Sequence, residues 1–264
     1  MINIKKDGHI HSPFCPHGTK DSLEMYVEKA LEEGLGEITF TEHLPLPKGF
    51  IDENIIDESA PDEENFALYI EEVKRIKEKY KDKIKILIGA EIDYLEGLEE
   101  ETAKILEKFK DDFEDSIISV HFIKYKDKYY CLDYSTERYE ELINITGSLE
   151  NLYNLYYETV IKSINADLNG FKAKRVGHPA LVRIFNIVYP YNYKNEEMLK
   201  RVALEIQKGG YSVDYNTAGV RKKYCGEVYP SGILNELIDK YGIEKIYGSD
   251  SHTAKDVGFG FGTL

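Results

Sequence analysis

The chain of 264 residues has no tryptophan, three cysteines and eight prolines. Cationic side chains are also scarce: 34 Lys and Arg stand against 48 Asp and Glu, for a formal net charge of −14. Each shortage excludes something. Cys15, Cys131 and Cys225 form no CxxC pair and no even set, which argues against a disulfide framework and against zinc held by thiolates. No basic stripe interrupts the acidic balance, so a nucleic-acid groove is not expected. No apolar run approaches the roughly 18 residues of a membrane span. The opening MINIKKDGHIHS lacks the apolar core of a secretory signal. The expectation is a cytoplasmic protein with neither membrane nor nucleic acid as partner, its oligomeric state not legible. Hydrophobic residues at 42% and charged residues at 31% are globular values. The length suits one α/β barrel domain over residues 1–264.

What is present is a regular alternation. Seven segments read as buried strands: Lys6–His11, Glu37–His43, Lys83–Asp93, Asp115–Phe122, Arg175–His178, Tyr211–Asn216 and Lys245–Asp250. Several are compact apolar runs, such as IKILIG and DSIISV, bounded by glycine or polar residues. Helical spacing recurs between them: Leu23, Val27, Ala30 and Leu31 before a capping Gly34; Phe66, Ile70, Val73 and Ile76; and Leu149 through Ile164. Strands alternating with helices imply parallel βαβ units. Seven of them predict an α/β, distorted seven-stranded (β/α)7 barrel, with an open doubly wound sheet as the alternative. Leu44–Glu64 reads as a long acidic connection and Lys124–Asp133 as a small hairpin.

All seven histidines fall at or just after the C-terminal end of a predicted strand: His9, His11, His17, His43, His121, His178 and His252. Glu91 and Asp250 end two further motifs, GAEID and GSDSH. In parallel barrels that end carries the active site. Residues two apart on a strand share a face, so His9 and His11 can reach one ion, and Asp250 and His252 repeat the spacing. A single histidine is usually a structural hydrogen-bonding residue, and HxH alone is weak. The joint pattern, with glycine beside three of the motifs, is what points to metal. Seven histidines with Glu91 and Asp250 make nine donors. One four-coordinate ion cannot use nine, so two to three divalent ions fit, with zinc, iron or manganese suited to imidazole and carboxylate. Clustered divalent ions suit hydrolysis of a small-molecule phosphate ester. For the phosphate, Arg183 and Arg221 offer planar forks and Asn216 a weaker hydrogen bond. Asp7 is a candidate to orient a ligating histidine. Glu42 is expected to face away from its neighbour His43, and Cys15 to pack near the His11–His17 loop.

The ordered pieces DGHIHSPFCPHG, TEH, GAEID, SVHF, GHPALV and GSDSH resemble the polymerase and histidinol phosphatase (PHP) family over nearly the whole chain. With GHPALVRIF and NTAGVRK, the likeness is to the family's histidinol-phosphate phosphatases. The resemblance implies a distorted seven-stranded barrel and a trinuclear centre. On its pattern His9, His11, Glu91 and Asp250 hold one ion, and Glu91, His121 and His178 a second. His17, His43 and His252 hold a third, and His43 or Asp250 also handles protons. The implied reaction is hydrolysis of L-histidinol phosphate. Another phosphoester such as phosphotyrosine, or metal binding without turnover, are the alternatives. The acidic stretch Ile51–Glu64 is the candidate partner for a substrate ammonium, on charge complementarity alone.

Overall fold

The computed structural model describes residues 2–50 and 59–263. Seven parallel strands form one sheet: β1 (Lys6–Ile10), β2 (Glu37–His43), β3 (Lys85–Asp93), β4 (Ile117–Ser119), β7 (Arg175–Val176), β8 (Ser212–Asn216) and β9 (Lys245–Gly248). They are joined in that order. Backbone bonds from Asp250 N to His9 O (2.8 Å) and from His11 N to Ser251 O (3.0 Å) bring the last strand against the first. The sheet therefore curls into a nearly closed barrel, as the strand count predicted. β5 (Phe122–Tyr125) and β6 (Lys128–Cys131) form the separate antiparallel hairpin. The observed strands stop one to three residues short of several predicted ends. His11, His178 and Asp250 lie just past those ends, outside the ladder.

Helices clothe the barrel because each buries one apolar stripe. Among the described residues these are α1 (Leu23–Glu32), α2 (Glu63–Tyr80), α3 (Glu99–Phe109), α4 (Thr136–Thr146), α5 (Leu149–Ile164), α6 (Glu196–Gly209), α7 (Ala218–Arg221) and α8 (Gly232–Lys240). On α2, Phe66, Ile70, Val73 and Ile76 are buried as the spacing predicts, and Tyr69 adds hydrogen bonds to Phe40 O and Gly89 O. Side chains of Ser22, Asp62, Ser135, Ser148 and Asn195 cap five of these helices by accepting from a backbone N–H three residues on. Each such cap contributes about 1 kcal/mol. Gly34 closes α1 with φ +68°, a conformation that costs a β-carbon-bearing residue more. No helix among the described residues is long and apolar enough to cross a membrane.

At the N-terminal ends of the strands the barrel interior is polar. Arg175 is fully buried, donates to Asp115 Oδ2 at 2.8 Å and to Gly8 O, and Lys6 approaches the same carboxylate at 3.8 Å. Part of the long connection after β2 is fastened elsewhere: Phe50 packs with Leu95 and Phe122 against the hairpin. Of the expected ammonium-binding stretch Ile51–Glu64, residues 51–58 lie outside the described residues.

Candidate metal centre

All seven histidines meet at the C-terminal mouth. The β1–β2 register shifts between Asp7 and Ile10, a local irregularity that re-aims the strand carrying His9 and His11. Their Nε2 atoms lie 3.2 Å apart. Each Nδ1 faces a carboxylate: His9 faces Asp214 Oδ2 at 2.8 Å and His11 faces Glu42 Oε1 at 3.3 Å. A carboxylate accepts, so each Nδ1 carries a proton, and each Nε2 offers a lone pair whenever it holds no second proton. Two Nε2 atoms this close repel unless a proton or a metal cation sits between them. Glu91 Oε2 and Asp250 Oδ1 approach the same two nitrogens at 3.3–3.9 Å.

Glu91 lies at the centre. Its Oε2 also faces His43 Nδ1 at 3.4 Å, and its Oε1 faces His178 Nε2 at 3.0 Å and His121 Nε2 at 3.7 Å. Ser119 Oγ donates to that Oε1 at 2.6 Å and fixes the carboxylate. Donor atoms of His9, His11 and Asp250 converge within metal-binding reach, as do those of Glu91, His121 and His178. A third group gathers His11, Cys15, His43 and His252, with His17 Nε2 3.0 Å from His252 Nε2. His43 also converges with Asp93 and His121. Buried His43 Nδ1 and His178 Nδ1 lack hydrogen-bond partners. This donor set fits several borderline divalent ions.

Electrostatics show why protons alone serve these residues badly. Burial opposes charge on His9, yet Glu91, Asp214 and Asp250 hold its pKa well above the imidazole range. His121 is pushed up to about 10, against the effect of burial, by Asp93 and Glu91. His43 and His252 go the other way, lowered by burial and by the positive charge of His11. Glu91 and Asp250, despite burial, are held well below the carboxylate range by His9 and its neighbours. Some imidazoles are thus charged only because others are not. The cysteine shares this field: burial favours its thiol form, but hydrogen bonds with His11 and His17 lower the Cys15 pKa.

The backbone is shaped around the donors. His178 and Asp250 have φ of +22° and +50°, unusual for residues with a β-carbon and costing about 1–3 kcal/mol each. A β-carbon at Gly177 would lie 1.9 Å from Ser119 Oγ, and one at Gly248 would lie 2.0 Å from Asp214 Oδ1. Those glycines let the groups that hold Glu91 and His9 come close.

Several expected roles fall to other residues. Asp7 does not touch an imidazole; its carboxylate accepts from the backbone N–H groups of His9, Ser249 and Gly258. The acceptors that orient the rings are Asp214 for His9, Glu42 for His11 and Asp93 for His121, the last at 2.6 Å. Glu42 therefore does not turn away: it is buried, accepts from Ser12 and from His43 N, and contacts a ligand at one remove. Arg183 is not among the described residues that line the cavity, and its fork is filled by Glu227 and the Tyr191 carbonyl. Asn216 is buried, donating to Asp214 Oδ2 at 2.9 Å and Asp250 Oδ2 at 3.1 Å, where it braces the two carboxylates. Arg221 does line the cavity, steadied by Ser249 O at 3.0 Å and lying over the Phe259 ring. Lys222 beside it was not singled out from the sequence. The cavity itself measures about 460 Å³.

Comparison with known proteins agrees with this geometry. Residues 7–218 match the PHP domain. A histidinol-phosphatase of Bacillus subtilis (strain 168) is 41% identical over 261 residues, 97% of each chain. The crystal structure of a Listeria monocytogenes protein, provisionally assigned as a histidinol phosphatase, has a TM-score of 0.94 at 34% identity, covering 98% of this chain and 100% of that one. A histidinol phosphate phosphatase of Lactococcus lactis subsp. lactis, solved with zinc, L-histidinol and phosphate, has a TM-score of 0.70 at 24% identity, covering 95% of this chain and 87% of that one, and shares the fold. With its barrel, its converging histidines and these relatives, the chain belongs to the polymerase and histidinol phosphatase (PHP) family.

Proposed function

We propose that this protein is a metal-dependent phosphomonoesterase that hydrolyses L-histidinol phosphate to L-histidinol and phosphate, as a cytoplasmic step of histidine biosynthesis. The observation that carries the reading is the convergence of bare imidazole nitrogens on Glu91 at the floor of a cavity with a cationic edge. The 41% identity to a histidinol-phosphatase along 97% of the chain supports the substrate.

His9, His11, Glu91 and Asp250 would hold one ion, Glu91, His121 and His178 a second, and His17, His43 and His252 a third. Two to three such ions, of zinc, iron or manganese, would supply Lewis acidity to phosphoryl oxygens and make water a better nucleophile at neutral pH. Asp214, Glu42 and Asp93 hold the protons on the far nitrogens of three ligands, keeping the near nitrogens available. Arg221, braced against the Ser249 and Asp250 carbonyls, and Lys222 would neutralise the phosphate at the cavity edge. Asp250 enters ionised, held low by His9 and His11, and so serves as an acceptor. His43, whose pKa burial and the charge of His11 lower, would be neutral at rest with a ring nitrogen available to an ion; once protonated it would be a strong acid toward the departing alcohol oxygen.

The test is phosphate release from L-histidinol phosphate, phosphotyrosine and 4-nitrophenyl phosphate by one preparation. A kcat/KM highest for L-histidinol phosphate supports the reading. Equal values for all three would overturn the substrate assignment.

A further inference from the structure

The cavity above the centre has walls of opposite sign. Arg221 and Lys222 follow β8 and stand beside the end of β9. Phe122, Cys131 and Asp133 come from the exit of β4 and from the hairpin. In the sheet, β7 and β8 separate β4 from β9, so in a barrel of seven strands the two walls face each other across the mouth.

Among the described residues, the carboxylates lining this cavity are all paired with an imidazole or a guanidinium but one. Glu91 and Asp250 converge on imidazoles. Asp93 accepts from His121 Nδ1, and Asp256 faces Arg221 Nε at 3.4 Å. Asp133 has no such partner. Its Oδ1 accepts from the Cys131 thiol at 3.2 Å, and no described Lys, Arg or His forms an ion pair with it. Leu181 and Ile184 line the same cavity and give it an apolar surface, of the kind a planar ring covers. A half-buried carboxylate opposite a phosphate-binding wall matches a substrate that is anionic at one end and cationic at the other.

We propose that Asp133 binds the ammonium group of the substrate, so that the site selects phosphate monoesters of amino alcohols over otherwise equal esters without the amine. This inference rests on the L-histidinol phosphate reading above and names a specificity residue within it.

The experiment compares L-histidinol phosphate with its deamino counterpart, 3-(imidazol-4-yl)propyl phosphate, for the wild-type protein and for Asp133→Asn. 4-Nitrophenyl phosphate serves as a third substrate and bound metal is counted in both proteins. The wild type is expected to prefer the ammonium-bearing ester by about 10- to 100-fold in kcat/KM, the range of a charged hydrogen bond. In Asp133→Asn that preference should collapse towards unity, mainly through KM, with metal content unchanged. An intact preference in the variant, or a loss of metal that lowers both imidazole esters alike, would overturn the assignment of Asp133. If the wild type favours neither imidazole ester over 4-nitrophenyl phosphate, the substrate reading itself fails and the inference falls with it. A wild type that prefers imidazole esters while ignoring the amine sinks the inference alone.

Discussion

The barrel buries polar side chains at both ends of its strands, and the two ends solve the problem of buried charge differently. At the N-terminal end Arg175 and Asp115 answer each other at 2.8 Å, with Lys6 and Thr39 on the same carboxylate. There each charge has an opposite charge beside it, although Arg175 Nε has no hydrogen-bond partner among the described residues. At the C-terminal end Glu91 meets His9, His11, His43, His121 and His178, and the Nε2 atoms of His9 and His11 face each other at 3.2 Å. That cluster is not complete with protein atoms. The first end spends its charges on stability, while the second leaves donors over for ions. The contrast teaches that burial of charge alone does not mark a function; an unbalanced donor set does.

The strongest way to break the contrast is to remove the shared carboxylate. Glu91→Gln should lower kcat for L-histidinol phosphate by about a thousandfold, the upper range for loss of one electrostatic stabiliser. Metal analysis should show at least one ion fewer per chain.

The opposite end should fail in stability and not in chemistry. Arg175→Met leaves Asp115 buried and poorly compensated, and urea unfolding should show a loss of about 3–5 kcal/mol. Metal bound per folded chain should match the wild type. A variant of normal stability that had lost its metal would reverse the proposed division between the ends.

A subtler change sharpens the account of the imidazoles. Asp214→Asn removes the carboxylate from His9 Nδ1 and should weaken metal binding by about 10- to 100-fold, seen by competition with a chelator. Activity should return at high zinc.

The smallest effect is in protons. In the metal-free centre His9, against burial, is held protonated above the usual imidazole range by Glu91, Asp214 and Asp250. A ligand must be neutral, so metal uptake expels that proton even when the pH is above the ordinary histidine range. Zinc titration in weak buffer at pH about 7.5 should release about one proton per chain or more, and apparent affinity should fall as pH is lowered. The Arg175–Asp115 end should show no such linkage.

How far this could be read in advance depended on the reach of each signal along the chain. Strands such as Lys85–Asp93 were legible because a compact apolar run, ILIGA, leads into Glu91. The histidine cluster was legible because parallel strands in a barrel send their C-terminal ends to one mouth. Asp214 was hidden, because it sits in an ordinary strand pattern and meets His9, 205 residues away in sequence, only when the closing barrel brings β8 within one strand of β1. Asp133 was hidden for a like reason, since a hairpin exit carries no mark of which cavity it borders. Arg183 and Arg221 looked alike as residues following barrel motifs. What separates them is Glu227, which occupies the fork of Arg183. Glu42 failed the simple rule that strand neighbours face opposite ways, because its carboxylate turns back to the loop at Ser12.

The most direct test of the central claim is metal content measured together with turnover on one preparation. Inductively coupled plasma analysis should find two to three divalent ions per chain, and removing them should abolish hydrolysis of L-histidinol phosphate reversibly. A fully folded protein that binds one ion or none while hydrolysing the ester at an undiminished rate would contradict it.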